Sequence, residues 1–174
     1  MNIKKRILHF RFLEQKGFSV VEIILASALF LIFSGASIIV VLQGFDADRT
    51  ATDAIVANEY AIEGIEAVRS IRDQSSGYSN LAAKTGANGV APVSSVWAFS
   101  GGSNQFGPNG MYTRVITIST VNRDGSGNIV SSGGSTDPNT MKVTSTVTWN
   151  VSPTRHDSVV QTTYLTNWRG VNAI

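Results

Sequence analysis

Residues 16–22 read KGFSVVE and lead directly into an apolar segment that continues to about residue 45. Residues 23–42 contain no charged side chain and no proline. At about 1.5 Å rise per residue, this run forms a helix of about 30 Å, which matches the hydrocarbon thickness of a bilayer. Glu22 is the one ionisable group in the first turns of this helix. An unpaired carboxylate is costly in a membrane, so an acid at this position indicates a function. The sequence therefore predicts a membrane-spanning helix with one important carboxylate near its start.

The arrangement resembles the prepilin-type cleavage and methylation signal, which marks type IV pilins and the related pseudopilins. A short basic leader ends at Gly17, the aromatic Phe18 follows, and Glu22 stands at the family's spacing from both. Glycine suits the position before the cleaved bond, because the peptidase has to fit an extended backbone with no side chain there. The resemblance covers about residues 1–42, and the globular parts of the family diverge widely.

For this chain, the resemblance implies cleavage between Gly17 and Phe18 and N-methylation of Phe18. It also implies that the Glu22 carboxylate neutralises the amino group of Phe18 in a neighbouring subunit and sets the register of a helical filament. The implied partners are a prepilin peptidase and methyltransferase, other pilin subunits, membrane lipid, and an inner-membrane assembly platform with a motor ATPase. The implied role is structural, so we expect no enzymatic activity and no cofactor.

Two other functions are open on the sequence alone. A pseudopilin of a type II secretion or DNA-uptake system carries the same signal and pushes cargo through a secretion channel. A signal-anchored extracytoplasmic binding domain that never polymerises also fits an apolar helix, but it leaves the Gly17–Phe18 junction and Glu22 unexplained. An ordinary secretory signal is disfavoured, because the small-x-small tripeptide at residues 26–28 lies inside the apolar segment rather than after it.

The basic charge of the chain is concentrated in its leader. Residues 1–17 hold five of the 14 basic residues and one of the 12 acidic residues, so the remainder has nine basic and 11 acidic residues and a net charge of −2. This balance argues against a phosphate-binding groove, so no nucleic acid is expected as a direct partner. Cysteine is absent from the chain, so the outer domain has no disulfide and no thiolate metal site.

The leader charges also predict the orientation of the protein. Lys and Arg stay on the cytoplasmic side of a membrane, which places the N-terminus inside and the C-terminal domain outside. The expected location is the cytoplasmic membrane, with a single spanning helix, followed by an extracellular or periplasmic filament.

The helix is expected to continue beyond the membrane segment. Residues 18–45 form its transmembrane and filament-core half, and residues 46–73 form an amphipathic half that packs on a sheet. Apolar residues recur at steps of three and four in this second half: Ala51, Ala54, Ile55, Ala61, Ile62, Ile65 and Val68. We expect the three isoleucines and Val68 to be covered by the sheet.

The rest of the chain is expected to complete an α+β, pilin-like fold. Residues 74–110 are rich in Gly, Ser, Asn and Ala, and we interpret them as a variable helix-to-sheet connection with a short strand at 93–99. Residues 111–174 contain alternating segments at 111–121, 141–151 and 158–168, followed by a short tail. This pattern favours a small antiparallel sheet of three or four strands whose apolar face covers the helix, because so small a sheet is marginal alone.

Alternation along the strands assigns their faces. In the first alternating segment, one face carries Tyr112, Arg114, Ile116, Ile118 and Thr120, and the other carries Val115 and Val121. In the second, the apolar face carries Val143, Ser145, Val147, Trp149 and Val151.

The loop at residues 122–128 combines a turn signal with a fragment of a calcium-binding pattern. Asp124, Ser126 and Asn128 offer oxygen atoms at alternate positions. The loop lacks the later bidentate glutamate and the further carboxylates that a calcium site needs. A hairpin turn is the better interpretation, and calcium is kept as a candidate because some pseudopilins bind it in their outer domains.

Two further groups of residues have structural interpretations. His156, Asp157 and Ser158 are the residue types of a catalytic triad, but consecutive residues do not generally reach triad geometry, and we expect residues 152–157 to form a turn. The tryptophans are expected to be core or sheet-face aromatics rather than a stacking platform for sugars or bases: Trp97, Trp149 and Trp168.

Overall fold

A computed structural model describes residues 17–152 and 154–170 of the chain. Of the predicted leader only Gly17 is among them, and residues 171–174 of the predicted tail are outside them. The chain divides into two compact units, with the boundary between Asp46 and Ala47.

One continuous helix, α1 (Val20–Arg72), confirms the prediction of a single long helix. Its N-terminal part, in the first unit, is long and apolar enough to cross a membrane, and no residue of its most apolar 18-residue window is buried. The hydroxyl groups of Ser27 and Ser37 donate hydrogen bonds of 2.9 Å to the carbonyls of Ile24 and Phe33. These polar groups therefore find partners within the helix itself, as an apolar environment requires.

The second unit is an α+β domain in which the C-terminal part of α1 packs on an antiparallel sheet. In chain order, the elements after α1 are α2 (Gly77–Ala82), β1 (Gly86–Asn88), β2 (Val90–Val93), β3 (Val96–Phe99), β4 (Asn104–Phe106), a 3₁₀ turn (Pro108–Gly110), β5 (Tyr112–Arg123), β6 (Ile129–Val130), β7 (Ser135–Ser152) and β8 (Arg155–Thr166). The main sheet has the order β1-β5-β7-β8, β4 and β6 also pair with β5, and β2 and β3 form a separate hairpin. The predicted antiparallel sheet is confirmed, with more short strands than expected.

The connection between helix and sheet contains more regular structure than the sequence indicated. The predicted strand at residues 93–99 is a hairpin of β2 and β3, and α2, β1 and β4 surround it. Leu81 and Val90 from this region are fully buried against the core of the domain. These elements are only three to six residues long, so their stability comes from tertiary contacts rather than from local propensity.

The core lies between α1 and the inner face of the sheet in two clusters. One cluster is aliphatic: Ile65, Ala67, Val68, Ile71, Leu81, Val90, Ile116, Ile118, Met141, Val143 and Leu165. The other joins small helix residues to aromatic side chains of the sheet: Ala57, Ala61, Tyr112, Val147 and Trp149. The predicted inward face of residues 141–151 is therefore confirmed.

The face of α1 that packs on the sheet differs from the predicted stripe. Ala61, Ile65 and Val68 are buried as expected, but Ile55 is 63% exposed and Ile62 is 42% exposed. The buried face instead includes the small residues Ala57, Gly64 and Ala67. Small side chains let the helix backbone approach the sheet closely, so the packed face is rotated away from the two isoleucines.

Two strand predictions are also corrected. The register of β5 against β7 shifts between Thr120 and Val121. Thr120 still pairs with Met141 and stays on the face of Ile118, as predicted, whereas Val121 beyond the shift is buried and has left the predicted face. Such an irregularity inverts the faces beyond it, because side chains alternate with a period of two. The turn predicted at residues 152–157 is shorter than expected, because β7 ends at Ser152 and β8 already begins at Arg155.

Candidate functional site

The predicted processing site lies directly before α1. Gly17, Phe18 and Ser19 have no regular secondary structure, and the Phe18 side chain is 78% exposed. No described atom lies within 4 Å of the position that a Cβ on Gly17 would take. The Ser19 carbonyl accepts a 3.1 Å hydrogen bond from the Ile23 amide, so helical hydrogen bonding begins one residue after Phe18. The Gly17–Phe18 bond is therefore in an exposed segment directly before a helix.

Glu22 lies in the first turn of α1, and its side chain is exposed. Among the described residues it forms neither a hydrogen bond nor an ion pair through its side chain. A carboxylate in this position interacts favourably with the helix dipole, typically by about 0.3–1 kcal/mol. This placement is compatible with two interpretations of Glu22. Its carboxylate can stabilise the N-terminus of its own helix, or it can pair with a positive group of another molecule.

A second polar centre, which the sequence did not single out, lies inside the outer domain. Arg114 on β5 is fully buried, and it donates hydrogen bonds to the carbonyls of Tyr60 on α1 at 2.9 Å and of Val90 on β2 at 3.3 Å. Its guanidinium also lies 3.7 Å from a carboxylate oxygen of Glu63 and 4.5 Å from the centre of the Phe106 ring. Burial lowers the pKa of Arg114, and Glu63 opposes that shift. Arg114 thus ties the helix, the sheet and the hairpin together.

The helix approaches the sheet most closely at Gly64, beside Arg114. A Cβ on Gly64 would lie 2.7 Å from Ser145 Oγ, 2.8 Å from Ile116 Cδ1 and 2.9 Å from Arg114 Cδ. These distances are shorter than van der Waals contact, so the site accepts only glycine without movement. Gly64 is therefore a packing residue, and its role is visible only once the strands are in place.

The calcium candidate is organised as a hydrogen-bonded turn. Asp124 Oδ1 accepts hydrogen bonds of 2.9 Å from the amides of Ser126 and Asn128, and Asp124 Oδ2 accepts one of 3.2 Å from the Asn128 side chain. These bonds hold the pKa of Asp124 below its usual range, with Asn128 as the largest cause. Within residues 17–152 and 154–170, no group of three or more His, Cys, Asp or Glu side chains is placed to hold a metal ion. Both carboxylate oxygens of Asp124 are thus used within the turn.

The turn is bordered by an ion pair between β5 and β7. Arg123 Nε donates a 2.7 Å hydrogen bond to Asp137 Oδ2, and its Nη1 donates one of 2.7 Å to the Gly127 carbonyl. Hydrogen bonds from Thr140 and Arg123 lower the pKa of Asp137. The pair holds the loop and the early part of β7 in register.

This lowered pKa predicts a pH dependence for Asp137→Asn. The folded pKa lies below the unfolded value of about 3.9, so the carboxylate stabilises the fold above that value, and the contribution is lost as pH falls through the folded pKa. We expect Asp137→Asn to lower the melting temperature at pH 6 and to have little effect near pH 2. The melting temperatures of the wild type and Asp137→Asn, measured between pH 2 and pH 6, give this difference. Asp48→Asn, at an exposed position, is the control. A difference that is independent of pH would contradict the prediction.

The residues that resemble a catalytic triad lie in a strand. His156, Asp157 and Ser158 belong to β8, where consecutive side chains point to opposite faces. His156 Nδ1 is 2.5 Å from Asn150 Oδ1, while Asp157 Oδ1 accepts a hydrogen bond from the Ser158 amide. The three side chains therefore do not form a relay.

The three tryptophans have different environments. Trp149 is buried in the cluster of small helix residues and aromatic side chains, and Trp97 is half-buried against the aliphatic cluster, as expected for structural aromatics. Trp168 is instead half-exposed, with its Nε1 donating a 3.1 Å hydrogen bond to Asp73 and its ring next to the Arg169 guanidinium at 4.9 Å. Trp168 therefore fastens the end of the described chain to the end of α1.

No family model, no characterised protein and no solved structure matches the chain.

Proposed function

We propose that the chain is a structural subunit of a type IV pilus-like filament, made as a membrane-inserted prepilin. The observation that carries the proposal is the start of α1. There, an exposed Gly17–Phe18 pair immediately precedes an apolar helix whose first turn contains an exposed carboxylate, Glu22.

Processing would create a positive group that can pair with the Glu22 carboxylate. Cleavage after Gly17 leaves a positive amino group on Phe18, which N-methylation keeps positive. In an apolar filament core, an unpaired carboxylate or ammonium costs several kcal/mol, because the surroundings cannot solvate it. An amino terminus placed against the Glu22 carboxylate of a neighbouring subunit removes both penalties at once. Within one subunit, Phe18 and Glu22 are about one helical turn apart. Pairing each with its counterpart in a neighbouring subunit would therefore fix the axial offset between the two subunits.

The rest of the chain supports this role by its division into two units. The apolar part of α1 exposes large side chains, including Phe30, Ile32 and Phe33, that need a lipid or protein environment. The second unit buries its own core between α1 and the sheet. In the proposed filament, the first unit supplies the core and the second supplies the outer shell. A prepilin peptidase and methyltransferase would process the chain, and an inner-membrane platform with a motor ATPase would assemble it.

A Gly17→Glu variant tests the processing step. We expect the wild-type protein to lose residues 1–17 and the variant to keep them, because a glutamate side chain blocks the extended backbone that the peptidase binds. Intact mass spectrometry of membrane fractions measures the difference. Gly102→Glu is the matched control, since Gly102 is also exposed and has no described atom within 4 Å of its Cβ position. Identical processing of wild type and Gly17→Glu would favour a signal-anchored domain instead.

A further inference from the structure

A cavity of about 260 Å³, which we call the hairpin cavity, lies between the C-terminal end of α1, the end of α2 and the β2–β3 hairpin. Ile71, which is 2% exposed, is one of the residues that line it. Trp97 and Phe99 also line it, and they are two residues apart on β3, so their side chains lie on the same face of the strand. Both are half-buried, because one side packs against the aliphatic cluster. The cavity therefore has an apolar lining that includes two aromatic residues.

Three polar side chains border the same cavity: Gln74, Asn80 and Lys84. The Gln74 amide nitrogen donates a 2.9 Å hydrogen bond to the Trp97 carbonyl, which ties the side chain to the hairpin and leaves Oε1 as its remaining polar atom. Neither this oxygen nor the side chains of Asn80 and Lys84 have a hydrogen-bond or ion-pair partner among the described residues. The border of the cavity thus offers one acceptor, one amide and one ammonium group to a ligand.

The charge at the hairpin cavity is positive. Of the described residues that line it, only Lys84 is charged. The acid nearest to Lys84 in the sequence is Asp73, and its carboxylate already accepts hydrogen bonds from Arg72 at 2.8 Å and from Trp168 Nε1 at 3.1 Å. These bonds, with Arg72 as the largest cause, hold the pKa of Asp73 below its usual range. The Lys84 ammonium is therefore left to pair with an anion from outside the domain.

We propose that the hairpin cavity binds the terminal sugar of a glycan, and that the ring of this sugar carries a carboxylate, as glucuronate does. The apolar face of the ring would pack on Trp97 and Phe99. The carboxylate would accept a hydrogen bond from Lys84, and the ring hydroxyls would bind Gln74 Oε1 and the Asn80 amide. The inference goes beyond the proposed function, because it gives the outer domain a ligand in addition to a place in a filament.

The combination of donors and acceptors selects this class of ligand. Gln74 Oε1 only accepts hydrogen bonds, so its partner has to donate, whereas the Lys84 ammonium only donates, so its partner has to accept. A hydroxylated ring with a carboxylate supplies both groups. An apolar acid lacks the donor, and a neutral sugar lacks the charge.

The size and the exposure of the cavity agree with one terminal sugar. Cavities for drug-sized ligands measure about 300–1,000 Å³, so the hairpin cavity has room for a single ring rather than for several. Asn80 and Lys84 are exposed, so the cavity is open to solvent on their side. The remainder of a glycan could leave the cavity there.

Saturation-transfer NMR titration of the full chain, in a detergent without sugar groups, tests the class of ligand. The probe is methyl glucuronide, whose methyl group takes the place of the next sugar in a glycan. We expect a Kd of about 1 mM, which is typical of a ligand of this size. Methyl glucoside lacks the carboxylate and cyclohexanecarboxylate lacks the hydroxyl groups, so each should bind about tenfold more weakly.

A Lys84→Gln variant tests where the carboxylate binds. Because Lys84 is exposed and has no described partner, the variant should melt at the wild-type temperature. We expect it to bind methyl glucuronide about tenfold more weakly and methyl glucoside as the wild type does, so its preference for the acidic sugar is lost. Lys142→Gln is the matched control, because it removes a lysine from β7 outside the cavity and should leave both affinities unchanged. Asn80→Ala should weaken the binding of both sugars by a similar factor.

Several results would overturn the inference. Absence of saturable binding of methyl glucuronide to the folded wild type would reject the site. Equal affinity for cyclohexanecarboxylate would identify an apolar acid as the ligand, and binding of free glucuronate without methyl glucuronide would exclude a glycan. An unchanged affinity in Lys84→Gln would place the carboxylate elsewhere. All of these measurements use the isolated chain, so their failure leaves the proposed function intact, and the processing of Gly17→Glu tests that function separately.

Discussion

A Gly64→Val variant is expected to destabilise the outer domain by about 3 kcal/mol, the largest effect that we predict for a single change in this unit. Even the first added carbon would lie within 3 Å of Ser145, Ile116 and Arg114. Valine adds two further methyl groups, so the helix has to move away from the sheet. For a domain of this size, the change corresponds to a fall of about 10 °C in melting temperature. Thermal melting of the full chain in detergent, followed by near-ultraviolet circular dichroism, measures it.

Two controls separate close packing from a general intolerance of valine in helices. Gly44→Val makes the same substitution at a helical glycine with no described atom within 4 Å of its Cβ position, so the outer domain should melt as in the wild type. Gly64→Ala should also destabilise the domain, because its Cβ would lie 2.8 Å from Ile116 Cδ1. Adding Ile116→Val removes that carbon and should recover part of the stability that Gly64→Ala loses. A melting temperature for Gly64→Val equal to that of the wild type would contradict the close approach at this position.

A Glu22→Ala variant is expected to enter the membrane normally and to be nearly absent from filaments. Alanine is a better helix former than glutamate and is less costly in lipid, so membrane insertion should become more favourable. The proposed partner of Glu22, the amino group of Phe18 in a neighbouring subunit, would be left charged and unpaired in an apolar core, at a cost of several kcal/mol. The ratio of variant to wild type in sheared filaments, from cells that express both, measures this loss.

The control for Glu22→Ala is another exposed acid of the same helix. Asp48→Ala removes a negative charge from α1 outside the apolar segment, and we expect normal incorporation. Glu22→Asp keeps the charge on a shorter side chain and should lie between the wild type and Glu22→Ala. Incorporation of Glu22→Ala at the wild-type level would reject the pairing of Glu22 with a neighbouring amino terminus.

Much of the fold could be predicted because its main elements have strong local signals. An uninterrupted apolar run followed by a period of three to four residues indicates one long helix, and alternation at residues 141–151 indicates a half-buried strand. The detailed packing had no such signal. Hydrophobicity favours Ile55 and Ile62 as core residues, whereas the close approach of helix and sheet selects Ala57 and Gly64. A hydropathy pattern contains no information on the distance between the helix and the sheet, and this distance decides which side chains fit.

The same distinction applies to the polar groups. Gly17, Phe18 and Glu22 lie within six residues of one another, so their pattern is readable in the sequence. Arg114, in contrast, binds carbonyls that are 54 and 24 residues away from it along the chain. Its alternation with Tyr112 and Ile116 placed it on their face of the strand, but nothing local reveals that this guanidinium is buried or which groups satisfy it. Long-range partners of this kind become visible only in three dimensions.

The most direct test of the central proposal is the intact mass and N-terminal sequence of the protein from its native membrane and from sheared surface material. We expect the sheared fraction to contain a chain that begins at N-methylated Phe18. This result would combine cleavage after Gly17, methylation and incorporation into a filament in one measurement. A chain that begins at Met1 and is confined to the membrane would contradict the proposal and favour a signal-anchored domain.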